Sequence, residues 1–312
     1  MPELHSLDAI VLLDKPAGLS SNAALQQVKR LLGARKAGHG GSLDPLASGM
    51  LPICLGEATK LAGPMLAGRK HYEFRLHLGA ETSTGDLEGA IVGHQPVPRL
   101  TPESIRRVLS TFIGRRTQIP PMHSALRRRG ARLYELARRG IEVDREPRLI
   151  EIDVFELVSL EEHSLTLRVT CSKGTYIRTL GQDAAAALGT CGHVEHLRRL
   201  WVEPFAGEPM VKLEELERLH ANPVELRRWL LPLDRGIESW PRVDLDAEEA
   251  RRMLDGQALD LPRFAADEAA IRIYGPAGQF LGIAHRDAHG RITPRRLIAS
   301  ERERISHTFP SA

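Results

Sequence analysis

Cysteine is scarce in this chain: Cys54, Cys171 and Cys191 are the only three in 312 residues. They are odd in number, widely scattered and without Cys-x-x-Cys spacing. That fits reduced thiols in a cytoplasmic protein better than a disulfide framework or a zinc site. Aromatic residues are few, at 4%, so each tyrosine stands out. No run approaches the roughly 18 consecutive apolar residues needed to cross a bilayer. The opening Met1-Pro-Glu-Leu-His-Ser-Leu-Asp8 carries acids without a basic-then-apolar order, so it does not read as a signal peptide. Internal repeats and low-complexity segments are lacking too. Lysine is missing from residues 101–150, where twelve arginines stand against five acidic residues; this segment carries +7 in a chain whose net charge is +3. Its densest part is Ala125 to Gly140. Clustered arginines suit a phosphate backbone, because each contact releases counterions and can be bidentate. A solvated helix face in an arginine-rich proteome has the same composition, so this cluster alone does not decide.

What is present is concentrated in Ala37-Gly-His-Gly-Gly-Ser-Leu-Asp-Pro-Leu-Ala-Ser-Gly-Met-Leu-Pro-Ile-Cys-Leu-Gly-Glu-Ala-Thr-Lys60. Glycines at 38, 40 and 41 allow a close approach of backbone to another chain or ligand. Asp44 precedes Pro45, which biases it toward an extended conformation. Met50 to Leu55 reads as a buried strand anchoring the loop. A carboxylate on a stiff turn beside a core strand is a catalytic candidate; an ordinary Asp-Pro turn is the plainer alternative.

The length allows one large domain or two. Ile10–Asp14 reads as a strand, and Ser20 or Ser21 caps a helix through Leu32. A helix limited by Pro64 is expected over Glu57–Leu66. His71–Leu78 and Ser164–Cys171 alternate with period two. Thr101-Pro102 opens one helix, and Tyr176–Leu188 forms another that ends at Gly189. Pro232, Gly236 and Pro241 mark a boundary, after which a short helix near Asp246–Leu254 and strands near 270–274, 280–284 and 292–298 suit a small β-rich module. Ser172-Lys-Gly-Thr-Tyr-Ile-Arg-Thr179 joins a strand to a helix, where Lys173, the Gly174 amide and Arg178 could meet an anion, though the P-loop spacing is absent. Tyr72 could be a core residue or a stacking platform for a base. His193 and His196, three apart on a strand, are expected on opposite faces, which argues against a shared metal; no metal set is expected elsewhere.

Taken together, Leu13-Asp-Lys-Pro, the Gly38-His to Leu51-Pro52 loop, Gly56-Glu-Ala-Thr-Lys60, Lys70-x-Tyr72, Ser172 to Arg178 and Leu197-Arg-Arg199 resemble, in that order, the bacterial tRNA pseudouridine-55 synthases of the TruB family. The resemblance runs from about residue 8 into the C-terminal module. It implies isomerisation of uridine 55 in the tRNA T loop to its C-glycoside, by base flipping and without metal or organic cofactor. It implies an α+β pseudouridine-synthase fold: a mixed, mostly antiparallel sheet with flanking helices over residues 1–240, and a PUA-like RNA-binding domain over 241–312. Residues 120–148 resemble the family's RNA-clasping insertion. Asp44 falls on the essential aspartate and His39 on a histidine that enters the T loop. Tyr72 falls on the tyrosine that stacks on the target base, Tyr176 and Leu197 on pocket-lining residues, and Arg178 on the arginine paired with the carboxylate. The implied partner is the T-stem loop of tRNA, with no membrane and no protein partner, and the family expectation is a cytoplasmic monomer. The chemistry is consistent with this: a carboxylate near C1′ could form an adduct, or act as base at C2′. Hydrolysis would require a second carboxylate to activate water, and none is evident near Asp44. Two positions depart from the family pattern. Gly40 stands where threonine is common, and His123 where tyrosine is usual.

Overall fold

The computed structural model describes residues 7–65, 67–124, 126–128, 131–264 and 270–298. Its frame is an eight-stranded sheet made of β1 (Ala9–Lys15), β2 (Ala37–His39), β3 (Ser48–Leu55), β4 (Lys70–Leu78), β5 (Gly114–Gln118), β6 (Arg148–Leu160), β7 (Ser164–Cys171) and β8 (Gly192–Val202). The spatial order is β1-β3-β8-β4-β7-β6-β5, with β2 added to β3. Every pairing is antiparallel except β3 with β8, which join in parallel at Ser48–Gly49 and Arg198–Arg199. The sheet is therefore mixed and mostly antiparallel, as the family resemblance implies.

That one parallel join places the loop of interest. One edge of β3 is occupied by β1. The other is divided: residues 53–55 pair with β2 and residues 48–49 with β8. Residues 40–47 must therefore cross the seam where the two halves of the sheet meet. Gly49 makes the seam possible. Its φ is +101°, and a Cβ there would lie 2.1 Å from the Arg199 carbonyl oxygen, closer than any side chain tolerates.

The strands follow from their patterns. β4 alternates so that Lys70, Tyr72, Phe74, Leu76 and Leu78 share one buried face. Helices Pro102–Ser110 and Ile177–Ala187 cover that side, packing Ile105, Leu109, Ile177 and Leu180 on Phe74, Leu167 and Val169. Losing Phe74 from this core would cost about 3–5 kcal/mol. β1 and β3 are buried on both faces, which explains their unbroken apolar runs. Helices Ser21–Leu31 and Leu213–Leu219 cover one side. The first is capped by Ser20, whose hydroxyl accepts from the Ala23 amide.

After residue 240, β9 (Arg242–Asp244), β10 (Ile271–Tyr274), β11 (Phe280–Arg286) and β12 (Ile292–Leu297) form a second sheet with its own apolar cluster. Helix Ala247–Leu254 starts at a capping box between Asp246 and Glu249. This sheet also packs on the first: Ile283 and Phe280 join a cluster with Ile10, Leu12, Met50 and Phe205. Lys60 Nζ donates to the Leu297 carbonyl at 2.7 Å, and the Tyr274 hydroxyl donates to Asp234.

Two expectations need correction. Residues 56–61 form a 3-10 helix followed by a single α-turn at Ala62–Met65, rather than one α-helix, and Leu66 lies outside the described residues. His193 and His196 do not alternate. A register shift between Val194 and His196 sets them opposite His77 and Arg75, both on one face, because a bulge inserts an extra residue and restores the side. His193 Nδ1 instead bonds the Ala80 carbonyl at 2.8 Å. Among the described residues, no group of His, Cys, Asp and Glu is arranged to hold a metal ion.

Candidate active site

Asp44 sits on a turn held from below. The Ser21 hydroxyl accepts from the Leu43 amide at 2.7 Å and donates to the Leu43 carbonyl at 2.9 Å. The Gly18 amide donates to the Pro45 carbonyl. Lys15, fully buried, donates from Nζ to the carbonyls of Pro16 and Leu19, with Pro45 at 3.4 Å. Burial lowers the Lys15 ammonium to about 8, against the pull of the Asp44 carboxylate.

From above, Arg178 fixes the carboxylate. Its Nε donates to Asp44 Oδ2 at 2.9 Å, while Nη1 and Nη2 donate to the carbonyls of Thr84 (2.9 Å) and His123 (2.7 Å). Nε also lies 3.5 Å from Asp86 Oδ2. The arginine side chain is 5% exposed and Asp86 3%, whereas Asp44 is 41% exposed. One guanidinium thus joins a buried carboxylate, a reachable one and two chain segments. Because His123 contributes its carbonyl here, this bond does not depend on the side chain that replaces the family's usual tyrosine.

Asp44 and Arg178 border a cavity of about 510 Å³ whose walls include Tyr72, Tyr176 and Leu197. Five of the six residues singled out from the sequence therefore converge. His39 does not line this cavity; it ends β2 with its ring partly buried, and burial beside Arg199 lowers its pKa. Tyr72 is 8% exposed, and burial raises its phenol. Tyr176, at the N-cap of helix Ile177–Ala187, is set by Gln118, which accepts from its amide at 2.8 Å and donates to its carbonyl at 3.1 Å.

Lys70, Arg148, Lys173, Arg178 and Arg199 also line the cavity, against the single carboxylate of Asp44. That excess of positive charge suits an anionic ligand such as a nucleotide. Arg199, 1% exposed, donates to the carbonyls of Met50 (2.8 Å), Gly41 (3.1 Å) and Ser42 (3.5 Å). It ties β8 to the Asp44 loop, while Arg198 grips both carboxylate oxygens of Asp14 at 2.9 Å. The Leu13-Asp-Lys-Pro and Leu197-Arg-Arg motifs are thus two halves of one support.

Three residues escaped the sequence reading. Gln118 carried no signal, and Lys70 and Arg199 were visible only as members of quoted motifs. A second carboxylate, Asp86, does stand near Asp44, contrary to expectation. It is shielded, however: the Thr84 hydroxyl and the Glu88 amide donate to it, and it does not border the cavity. It has no access from which to activate water. The buried thiols are also chemically quiet, with Cys54 and Cys171 pushed up by burial to about 12 and about 11. Within the arginine-rich segment, Ala125, Arg129 and Gly130 lie outside the described residues.

Comparisons with known proteins agree in direction. Residues 29–177 match the family described as TruB family pseudouridylate synthase (N terminal domain). Residues 178–238 match a tRNA pseudouridylate synthase B C-terminal domain, and 241–298 a C-terminal domain of pseudouridine synthase II TruB. The chain is 47% identical over 298 residues to tRNA pseudouridine synthase B of Nitrosococcus oceani, covering 95% of this chain and 96% of that protein. It is 48% identical over 295 residues to the protein of the same name from Aromatoleum aromaticum, covering 94% of each. Among solved structures, a chain of a Cbf5-Nop10-Gar1 complex superposes with a TM-score of 0.75 at 23% identity, covering 95% of this chain and 86% of that one. The last likeness speaks for the fold alone.

Proposed function

This chain belongs to the TruB family of pseudouridylate synthases, and from that membership we propose that it converts uridine 55 of the tRNA T loop to pseudouridine, with Asp44 as the catalytic carboxylate. The observation that carries the reading is the Arg178 clamp, which presents a half-exposed Asp44 at a cavity walled by Tyr72, Tyr176 and Leu197. The target base lies in folded RNA and must be flipped out. Tyr72 stacks on it, and Arg148 and Lys173, exposed at the rim, meet its phosphates. Asp44 either bonds C1′ as the N1–C1′ bond breaks or takes the C2′ proton to leave a glycal. Both routes require its oxygens aimed at the sugar, which the Arg178 hydrogen bond supports. With Asp86 shut away, the cavity offers no second carboxylate to activate water, and this favours rejoining at C5 over hydrolysis.

His39, on the strand that leads into the Asp44 loop, enters the T loop beside the flipped nucleotide. Residues 1–240 form the catalytic domain, with an RNA-clasping insertion at about 120–148, and residues 241–312 a PUA-like RNA-binding domain. The protein acts as a cytoplasmic monomer. The decisive experiment maps pseudouridine in unmodified tRNA after incubation with pure protein. Wild type is expected to modify position 55, and Asp44→Asn to bind tRNA within a few-fold while making none. Retained turnover in Asp44→Asn would sink the assignment.

A further inference from the structure

We propose that Lys70 and Arg199 act as a cationic floor of the cavity, stabilising the negative charge that the uracil ring acquires as its N1–C1′ bond breaks. The inference rests on the uridine reading above. Lys70 and Tyr72 lie two residues apart on the same face of β4, and the register sets Tyr72 directly across from Arg199. All three border the cavity. Lys70 is 6% exposed and Arg199 1%. These are buried charges, unlike Arg148 and Lys173, which stand in solvent at the rim.

Burying a cation is costly, and packing alone would be better served by an apolar residue of similar size. Arg199 is held by three backbone carbonyls, which orient the guanidinium without cancelling its charge. Lys70 Nζ donates to the Gly68 carbonyl at 2.5 Å. Burial beside Arg199 lowers the Lys70 ammonium to about 8, so it is still charged at neutral pH. The reaction supplies the matching anion. When the N1–C1′ bond breaks, both electrons stay with N1 and the ring carries one negative charge spread over N1, O2 and O4. C1′ takes an electron pair from the Asp44 carboxylate, or becomes doubly bonded to C2′ as Asp44 removes that proton. After the ring turns, C5 bonds to C1′ as the Asp44–C1′ bond breaks or, on the other route, as Asp44 gives its proton back to C2′; a proton then leaves C5 and one adds to N1, so the product is an isomer. Lys70 and Arg199 transfer no proton. They are fixed charges, oriented before the reaction begins, and act on the charge that develops in the ring.

The test uses full-length protein with Lys70→Met and Lys70→Arg. Single-turnover rates are measured at saturating enzyme on tRNA transcripts carrying uridine or 5-fluorouridine. Fluorine at C5 makes the departing ring anion more stable, so its cleavage needs less help. Lys70→Met is expected to slow the uridine reaction about 10²-fold, with tRNA affinity and its salt slope unchanged. The penalty on consumption of 5-fluorouridine should be several-fold smaller, and Lys70→Arg should recover part of the loss. Because both substrates are compared within one preparation, partial misfolding cancels from the ratio. Equal penalties on the two substrates would overturn the proposal. So would a loss confined to affinity with a shallower salt slope, which would assign Lys70 to a phosphate. A wild-type protein that makes no pseudouridine would instead remove the uridine reading, and this inference with it.

Discussion

At the scale of single residues, the glycines of the loop differ in what they do. Gly40 has ordinary backbone geometry, and a Cβ there would meet Pro52 at 3.5 Å, a normal contact. Gly40→Thr, which restores the family's common residue, is expected to change stability by less than about 1 kcal/mol in a denaturant titration. Gly49→Ala forces a Cβ into the Arg199 backbone and is expected to lower the unfolding midpoint and the turnover rate together. The sequence pointed to Gly38, Gly40 and Gly41 as the places of close approach to another chain or ligand; the close approach at Gly49 is to β8 of the same chain, which spacing within the loop could not reveal. Asp44, Tyr72, Tyr176, Arg178 and Leu197 were legible because each lies in a short motif. Asp86 was not, because its role exists only through a guanidinium contributed 92 residues further along the chain. The titrating residues make a further prediction. Lys70 faces Arg199, Lys173, Cys171 and Glu203, and its pKa of about 8 means that raising the pH removes its charge. The wild-type single-turnover rate should therefore fall above about pH 8, and Lys70→Arg should hold it to higher pH. Lys15, beneath the Asp44 turn, titrates in the same range. A fall that persists unchanged in Lys70→Arg would trace the effect to that lysine.

Among the elements, helix Ile177–Ala187 shows how position is transmitted. Its N-terminus carries Tyr176 and Arg178, and no side chain caps it; Gln118 on β5 instead accepts from the Tyr176 amide and donates to its carbonyl, which also accepts from the Leu180 amide. Gln118→Ala takes away the partner of the Tyr176 amide, at a cost of about 1 kcal/mol. It is expected to slow turnover by misplacing Arg178 relative to Asp44, with tRNA affinity largely retained. A variant as active as wild type would show that the helix is held elsewhere. Elements with a strong period or cap were legible in the sequence, β4 by alternation and helix Pro102–Ser110 by its Thr101-Pro102 start. Those that went unread are short or irregular. Strand β9 has three residues, too few for its alternation to stand out, and the β8 bulge interrupts the very period on which the histidine placement relied.

Over the whole molecule, the two sheets share a core through Ile283, Phe280, Ile10, Leu12 and Phe205. Heating is expected to give one cooperative transition in calorimetry, and Ile283→Asp should lower its midpoint by placing a charge in that shared core. Two separated transitions in the wild type would show the sheets unfolding independently. Charge is also organised at this scale, since the arginine surplus falls in residues 101–150. Replacing Arg127, Arg128 and Arg129 with serine should flatten the dependence of log affinity on log salt by about 0.7–0.9 for each phosphate left without its arginine. An unchanged slope would assign them to solvated surface. The Arg178 clamp has one more consequence at this scale. Its four partners come from three well-separated stretches of chain, one carrying Asp44, one carrying both Thr84 and Asp86, and one carrying His123, and they meet only when the sheet, the helix and the connecting loops are all assembled. Such a junction works as a logical conjunction: if any one input is missing, the carboxylate is not presented. A nascent, nicked or half-unfolded copy is therefore expected to be chemically silent toward RNA even if its basic surface still adheres to it. The molecule inspects its own assembly before it acts.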